Sequence, residues 1–322
     1  MRIGLIGVSH WHAAMHAAAV RAAGAEVVAV WDADPILARR FANGIGAPAV
    51  STPAAVIAES GLVVVMGRPD TAPALAQMAL AAGRPMILEK PAAAGARGLA
   101  DLAARAAAAG TFVAVPLPNR LGPVMLEHAR LATLGRAGRV AHAHFRLVNG
   151  PPERYAADGV AWMLDPAISG GGALRNLGIH GVDSALALAT GELRLVSARI
   201  GNRIHDAPIE DYALLVLEDE TGAVFTVETG YTFASMQPGG DFEWRIATAN
   251  AYLIDSGDAA FVATLDDGAR RELAPLPPSI RYNSFMADTL SRLARGAKPA
   301  IGLDDYIAAM RLIDHAYVEA AR

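Results

Sequence analysis

The chain has 322 residues, 53% hydrophobic and 19% charged, with a net charge of −4 and no cysteine. That length suffices for two domains of ordinary size, and the absence of cysteine excludes disulfides, thiolate nucleophiles and cysteine-ligated zinc or iron–sulfur sites. There is no basic run and no apolar stretch long enough to span a bilayer, so neither nucleic acid nor a membrane is expected as a partner.

No charged-then-apolar leader precedes the first strand, which begins at residue 2, and a cytoplasmic protein is expected. Residues 1–115 alternate apolar strands with helices. "RIGLIG" runs into Gly7 and an alanine-rich helix that ends near Gly24. "EVVAVWD" follows, with a helix from Pro35 to about Ala42. Then come "LVVVM", a helix from about Thr71 to Ala82, "PMILEKP", a helix over Ala96–Ala109, and "TFVAVP". Continuous apolar strands between helices predict a parallel sheet covered on both faces, a doubly wound Rossmann fold.

The pattern changes after Pro116. "NRLGPVMLEHARLATLGRAG" reads as a connecting helix. "RVAHAHFRLV", "LRLVSARIGN", "YALLVLED", "AVFTVETGYTF", "FEWRIATANAYLID" and "AFVATL" alternate in part with period two. That predicts a large, open, mainly antiparallel sheet. A helix near 173–189 interrupts the strands, and helices near 281–295 and 304–321 close the chain. The expected organisation is a dinucleotide-binding domain over 1–118 and an α+β substrate-binding and oligomerisation domain over 119–322.

A strand that ends in glycine and feeds a helix is where a dinucleotide's diphosphate sits, on amides at the helix's positive end. At the three glycine positions of G-x-G-x-x-G this chain carries Gly7, Ser9 and His12. Only the tight-turn glycine is kept, and His10 and Trp11 fill the rest of the turn. Asp32 ends the second strand, 25 residues after Gly7, where a carboxylate accepts from ribose hydroxyls and repels a 2′-phosphate. NAD is therefore expected in preference to NADP. His12 and His16 share a helix face at metal-ligand spacing, but no carboxylate lies nearby in sequence, and no metal is expected.

Only two of the 28 basic residues are lysines, Lys90 and Lys298. Lysine can give up its proton in a protein and arginine cannot, and Lys90 stands where ligands bind, at a strand's carboxyl end. In "WMLDPAISGGGALRNLGIHGVD", Gly170, Gly171 and Gly172 let the backbone pass close to a flat neighbour. Asn176 and His180 then lie four apart on one helix face, which suits His180 to general acid or base work. Trp162 either walls a sugar site or packs.

With "AVWDADP", "EKP" (Glu89, Lys90, Pro91) and the closing "RLARGAKPAIGLDDYIAAMRLIDHAY", this motif makes the chain resemble the Gfo/Idh/MocA oxidoreductases from residue 2 to about 320. The resemblance implies oxidation of a sugar or cyclitol C–OH with NAD(P), in a homodimer or homotetramer joined through the open sheet. It matches Lys90 and His180 to the family's catalytic lysine and histidine, places Glu89 and Lys90 among the expected cofactor contacts, and matches Arg120 to an arginine near the cleft. Departures are Ser9 and His12 in the turn, "MGRPDTA" with Arg68 at the cofactor edge, and Asn176 where aspartate is usual. A non-catalytic NAD(H)-binding sensor of the same fold and an NAD-dependent glycosidase are the alternatives.

Overall fold

Unbroken apolar runs make the first sheet. In the computed structural model, which describes residues 1–266, 268 and 270–322, strands β1 (Arg2–Ile6), β2 (Glu26–Trp31), β3 (Leu62–Val65), β4 (Met86–Leu88) and β5 (Val113–Ala114) all pair in parallel, in the order β2-β1-β3-β4-β5. Every residue of β3 and β4 is inaccessible to solvent, as strands covered on both faces require. Helices α1 (Ala13–Ala22), α2 (Pro35–Ile45), α3 (Pro53–Glu59), α4 (Ala72–Ala81) and α5 (Ala100–Ala109) connect them. Asp34 starts α2 by accepting from the Ile36 and Leu37 amides, Pro35 occupies its first position, and left-handed Gly46 ends it; each is the residue type that position favours. Helix α3, absent from the sequence reading, is capped by Thr52.

From β1 the chain moves outward to β2 and then returns to the other side of β1. Right-handed crossovers put the helices of the two directions on opposite faces, and a crevice opens at the carboxyl ends beside β1. The turn before α1, the end of β2 and the end of β4 all lie on that edge.

The chain divides into two compact units, and the first is not one continuous segment: Met1–Pro116 is joined by Tyr155–Gly170 and Tyr282–Ala308. Local bonds hold these returns. Ala92 N–H donates to Tyr306 Oη at 3.1 Å and Val115 N–H to the Ile301 carbonyl at 3.0 Å. At Gly170 (φ +75°) a Cβ would overlap the Ala94 carbonyl. Gly170→Ala therefore combines a left-handed conformation with a backbone clash, and a loss of about 2 kcal/mol or more is expected, read from the shift of the urea unfolding midpoint.

The second unit comprises Leu117–Arg154, Gly171–Arg281 and Ala309–Arg322. Along the chain come α6 (Pro123–Thr133), β6 (Val140–Asn149), the short α7 (Glu153–Ala157) and α8 (Pro166–Ser169), and α9 (Ile179–Leu188). Strands β7 (Leu193–Gly201), β8 (Tyr212–Asp219), β9 (Val224–Gly230), β10 (Gly240–Thr248), β11 (Ala251–Asp255), β12 (Ala260–Thr264) and β13 (Arg270–Leu273) follow, then α10 (Pro278–Ala294) and α11 (Leu303–Ala320). The eight strands order as β13-β12-β11-β10-β6-β9-β8-β7. All pairs are antiparallel except β6 with β9.

The buried side chains of β8 (Ala213, Leu215, Leu217) fall at every second position, the period a sheet with one covered face requires. Helix α9 covers that face, with Trp244 donating from its indole to Ser184 Oγ at 2.9 Å. The segment "FEWRIATANAYLID", read as one strand, is a hairpin of β10 and β11. The Thr248 hydroxyl accepts from the Ala251 amide at 2.9 Å across its turn. A buried ion pair joins β11 to the start of α10: Arg281 Nη2 donates to Asp255 Oδ2 at 2.7 Å, Nη1 to Asn119 Oδ1 at 2.9 Å, and Nε to the Leu276 carbonyl at 2.6 Å.

Candidate active site

The turn after β1 is built on Gly7, whose φ of +85° and close approach to the Met66 backbone leave no room for a Cβ. Ser9 N–H donates to Asp32 Oδ2 at 2.7 Å and Asp34 N–H to Oδ1 at 3.0 Å, so Asp32 ties the end of β2 to the turn. Each carboxylate oxygen has lone pairs for a second donor, and capacity for ribose hydroxyls remains. Among the described residues the Val8 and Trp11 amides have no acceptor. A cavity of about 270 Å³ opens beside them, lined by Val8, Ser9, His10, Trp11, Arg40 and Phe41. Free amides ahead of a ten-residue helix and a carboxylate at the next strand end are the donor and acceptor set a dinucleotide needs. The residues fit NAD, and the carboxylate disfavours a 2′-phosphate.

Lys90, just beyond β4, is buried. Burial brings its ammonium down to about 8, against the opposing pull of Glu89. Its Nζ lies 5.6 Å from the Trp11 ring centroid. Trp11 stacks on His10 at 3.9 Å between centroids and meets Trp162 at 5.7 Å and Tyr155 at 5.8 Å. His10 Nδ1 accepts from the His12 amide at 3.1 Å, so its other nitrogen carries the hydrogen and donates to the Lys90 carbonyl at 3.2 Å. Burial lowers the His10 pKa well below the usual imidazole value.

Glu89, expected at the cofactor, turns its carboxylate inward. Oε2 accepts from His16 Nε2 at 2.6 Å, Oε1 accepts from the Lys90 amide at 2.9 Å, and His12 Nδ1 lies 3.3 Å from Oε1. Burial pushes the Glu89 carboxyl up, but the hydrogen bonds and charge of His12 and His16 outweigh it and hold the group well below the usual carboxylate range. Tyr282 Oη, 2.7 Å from His12 Nδ1 and 3.3 Å from Glu89 Oε2, completes the cluster. The carboxylate missing from the histidines' own stretch thus arrives from 73 residues away in sequence. His10, His12 and Glu89 each offer a donor atom within 4.8 Å of the others, yet both His10 ring nitrogens already face backbone partners. Tyr155 and Tyr282 carry no signal in the sequence, whereas His16 is marked there by its spacing of four from His12.

Arg68, expected at the cofactor edge, forms a fork with Asp70, Nε to Oδ1 at 3.1 Å and Nη2 to Oδ2 at 2.6 Å. In the second unit Arg120 holds the buried Asp183 through two hydrogen bonds, one of them Nε to Oδ2 at 3.0 Å. The predicted helix begins with a π-helical turn, Leu174–Gly178, that leads into α9; such turns recur at functional sites. Asn176 lies on it, buried, donating to Tyr231 Oη at 3.0 Å. His180, also buried, is in the first turn of α9.

The glycine run faces the protein's own chain. Gly171 abuts the Tyr317 ring, and Gly172 abuts the Glu210 backbone. Glu210 accepts from the Gly172 amide at 2.7 Å, the Leu174 amide at 2.9 Å and Tyr317 Oη at 2.7 Å.

Two domain profiles of one family match, in order: the oxidoreductase family's NAD-binding Rossmann fold over residues 1–117 and the GFO/IDH/MocA C-terminal domain over 126–253. The chain belongs to the GFO/IDH/MocA oxidoreductase family. Within it, inositol 2-dehydrogenase 2 of Saccharopolyspora erythraea is 30% identical over 233 residues, 70% of this chain and 63% of that protein. The match therefore spans less than two thirds of that relative's length. An oxidoreductase from Agrobacterium radiobacter, solved with NAD+, L-tartaric acid and magnesium, superposes with a TM-score of 0.85 at 19% identity over 100% of this chain and 96% of that one. Levoglucosan dehydrogenase with NADH and levoglucosan gives 0.87 at 19% identity over 100% and 97%. These two structures share the fold. Among the described residues no helix is long and apolar enough to cross a membrane.

Proposed function

We propose that the protein is an NAD-dependent dehydrogenase or reductase acting at a CH–OH of a sugar, cyclitol or related polyol. The observation that carries this reading is Lys90: a buried amine brought into the neutral range, at a strand's carboxyl end and beside the dinucleotide turn. The named activities of the inositol 2-dehydrogenase and levoglucosan dehydrogenase relatives support the substrate class.

Bound NAD supplies the hydride acceptor. The amides of Val8 and Trp11, with Ser9, hold its diphosphate side, and Asp32 takes the ribose. Lys90 donates a hydrogen bond to the substrate oxygen and stabilises the charge that develops there; in its neutral form it takes the hydroxyl proton. His180 is proposed as the other acceptor open to that same proton, with Asn176, Arg120 and Trp162 as substrate contacts and Arg68 at the cofactor edge. A cytoplasmic homodimer or homotetramer belongs to the same reading.

A panel of cyclitols, aldoses and anhydrosugars, assayed with NAD+ and NADP+ by nicotinamide absorbance, tests it. Reduction of NAD+ with at least one member, faster than that of NADP+, is the expected outcome. NADH binding without turnover across the panel favours the sensor, and cleavage without net nicotinamide reduction favours a glycosidase.

A further inference from the structure

His12 stands where a dinucleotide turn ordinarily has its third glycine, and its ring is not loose. Nδ1 lies 2.7 Å from Tyr282 Oη and 3.3 Å from Glu89 Oε1. The Glu89 side chain is sealed from solvent and, as a carboxylate, can only accept. A bare Nδ1 lone pair at that distance from an anionic oxygen is repelled, so Nδ1 carries the hydrogen. It donates to Tyr282 Oη, and the Tyr282 hydroxyl donates onward to Glu89 Oε2, 3.3 Å away. Burial, with Glu89 beside it, raises the Tyr282 pKa well above the usual phenol value, so the hydroxyl keeps its proton for that bond.

The other face of the ring is then determined. The groups packed on His12 are Glu89 and Lys90 after β4, Tyr282 of α10, and His10, Trp11 and His16 of its own segment. Burial outweighs Glu89 and lowers the His12 pKa to about 4, so at neutral pH the ring holds one hydrogen, on Nδ1. Nε2 has no partner among the described residues and is not sealed from solvent; the side chain keeps 13% of its exposure. This nitrogen offers a lone pair. A diphosphate oxygen also offers lone pairs, so the two cannot bond.

We infer that His12 Nε2 is an acceptor for a hydroxyl group of the bound ligand, and that Tyr282 is the positioning residue that aims it. The inference rests on the cofactor reading above and adds a contact to it. The hydroxyl comes either from the nicotinamide ribose or from the polyol substrate, and the two sources separate experimentally.

NADH and ADP are titrated into the wild type, His12→Phe and Tyr282→Phe at neutral pH, with steady-state kinetics on the substrate found by the panel. Loss of one hydrogen bond is read as about a tenfold change. If the ribose is the donor, His12→Phe weakens NADH about tenfold and leaves ADP unchanged. If the substrate is the donor, both affinities hold and kcat/KM falls by that factor through KM. Tyr282→Phe shows the same selective pattern; mere loosening of the turn weakens NADH and ADP alike and overturns the positioning role. Equal weakening of ADP and NADH in His12→Phe places the ring on the phosphates and overturns the inference. So do unchanged affinities with unchanged kcat/KM. Should His12→Phe not fold, His12→Ala gives the same comparison. A wild type that binds neither ligand overturns the cofactor reading, and this one with it.

Discussion

Replacing Lys90 with methionine leaves NADH affinity in place and lowers kcat by about a hundredfold or more, the scale of a positioned acid or base. Methionine keeps the length and apolar body of the side chain, so the contact with Trp11 survives while the amine is lost. The wild type adds a second observable. Burial disfavours the ammonium and brings its pKa down to about 8. Below that pH the group is a cation, and above it the neutral amine predominates. Oxidation that uses the amine as proton acceptor therefore rises with pH through about 8, and the inflection disappears in Lys90→Met. Arginine does not rescue, since it keeps its proton throughout. Unaltered kcat on a verified substrate removes Lys90 from the chemistry.

Arg281→Leu lowers stability by about 3–5 kcal/mol, the cost of stranding one member of a buried ion pair. Both partners are nearly inaccessible, at 3% and 1% side-chain exposure. Burial already raises the Asp255 carboxyl, and Arg281 opposes that rise. Without Arg281 the carboxylate faces the interior alone, and Asn119 Oδ1 and the Leu276 carbonyl lose their donor. Replacing Asp255 by leucine as well recovers much of the loss, because an apolar pair of similar volume is close to neutral against a buried salt bridge. Urea midpoints of the single and double variants decide the point; equal destabilisation in both attributes the effect to packing around Arg281.

The readings that agree with the structure depend on local pattern. Uninterrupted apolar strands declared the parallel sheet, and its topology put Gly7, Asp32 and Lys90 on one edge. What escaped the sequence depends on distance along the chain. Tyr282 lies 193 residues from Glu89, and no spacing rule connects them. The returns of 155–170 and 282–308 to the first unit blur a boundary that composition places at 118. Asn250, a turn residue inside an alternating apolar run, was too slight a signal to divide β10 from β11. The triple glycine reads as a close-approach device, and the neighbours it approaches are Ala94, Tyr317 and Glu210. The "MGRP" arginine forms a local fork with Asp70, two residues on.

An eight-stranded sheet that does not close on itself leaves two rows of backbone groups unmatched, which invites strands from other molecules to add on. Here both margins are guarded. The outer strand at one end, β13, reads Arg-Arg-Glu-Leu with its three charged residues exposed. At the other end β7 carries Arg194 and Arg199, and its register slips between Leu195 and Ser197. Charge at both margins, and a break in the ladder at one of them, deter runaway edge-to-edge stacking.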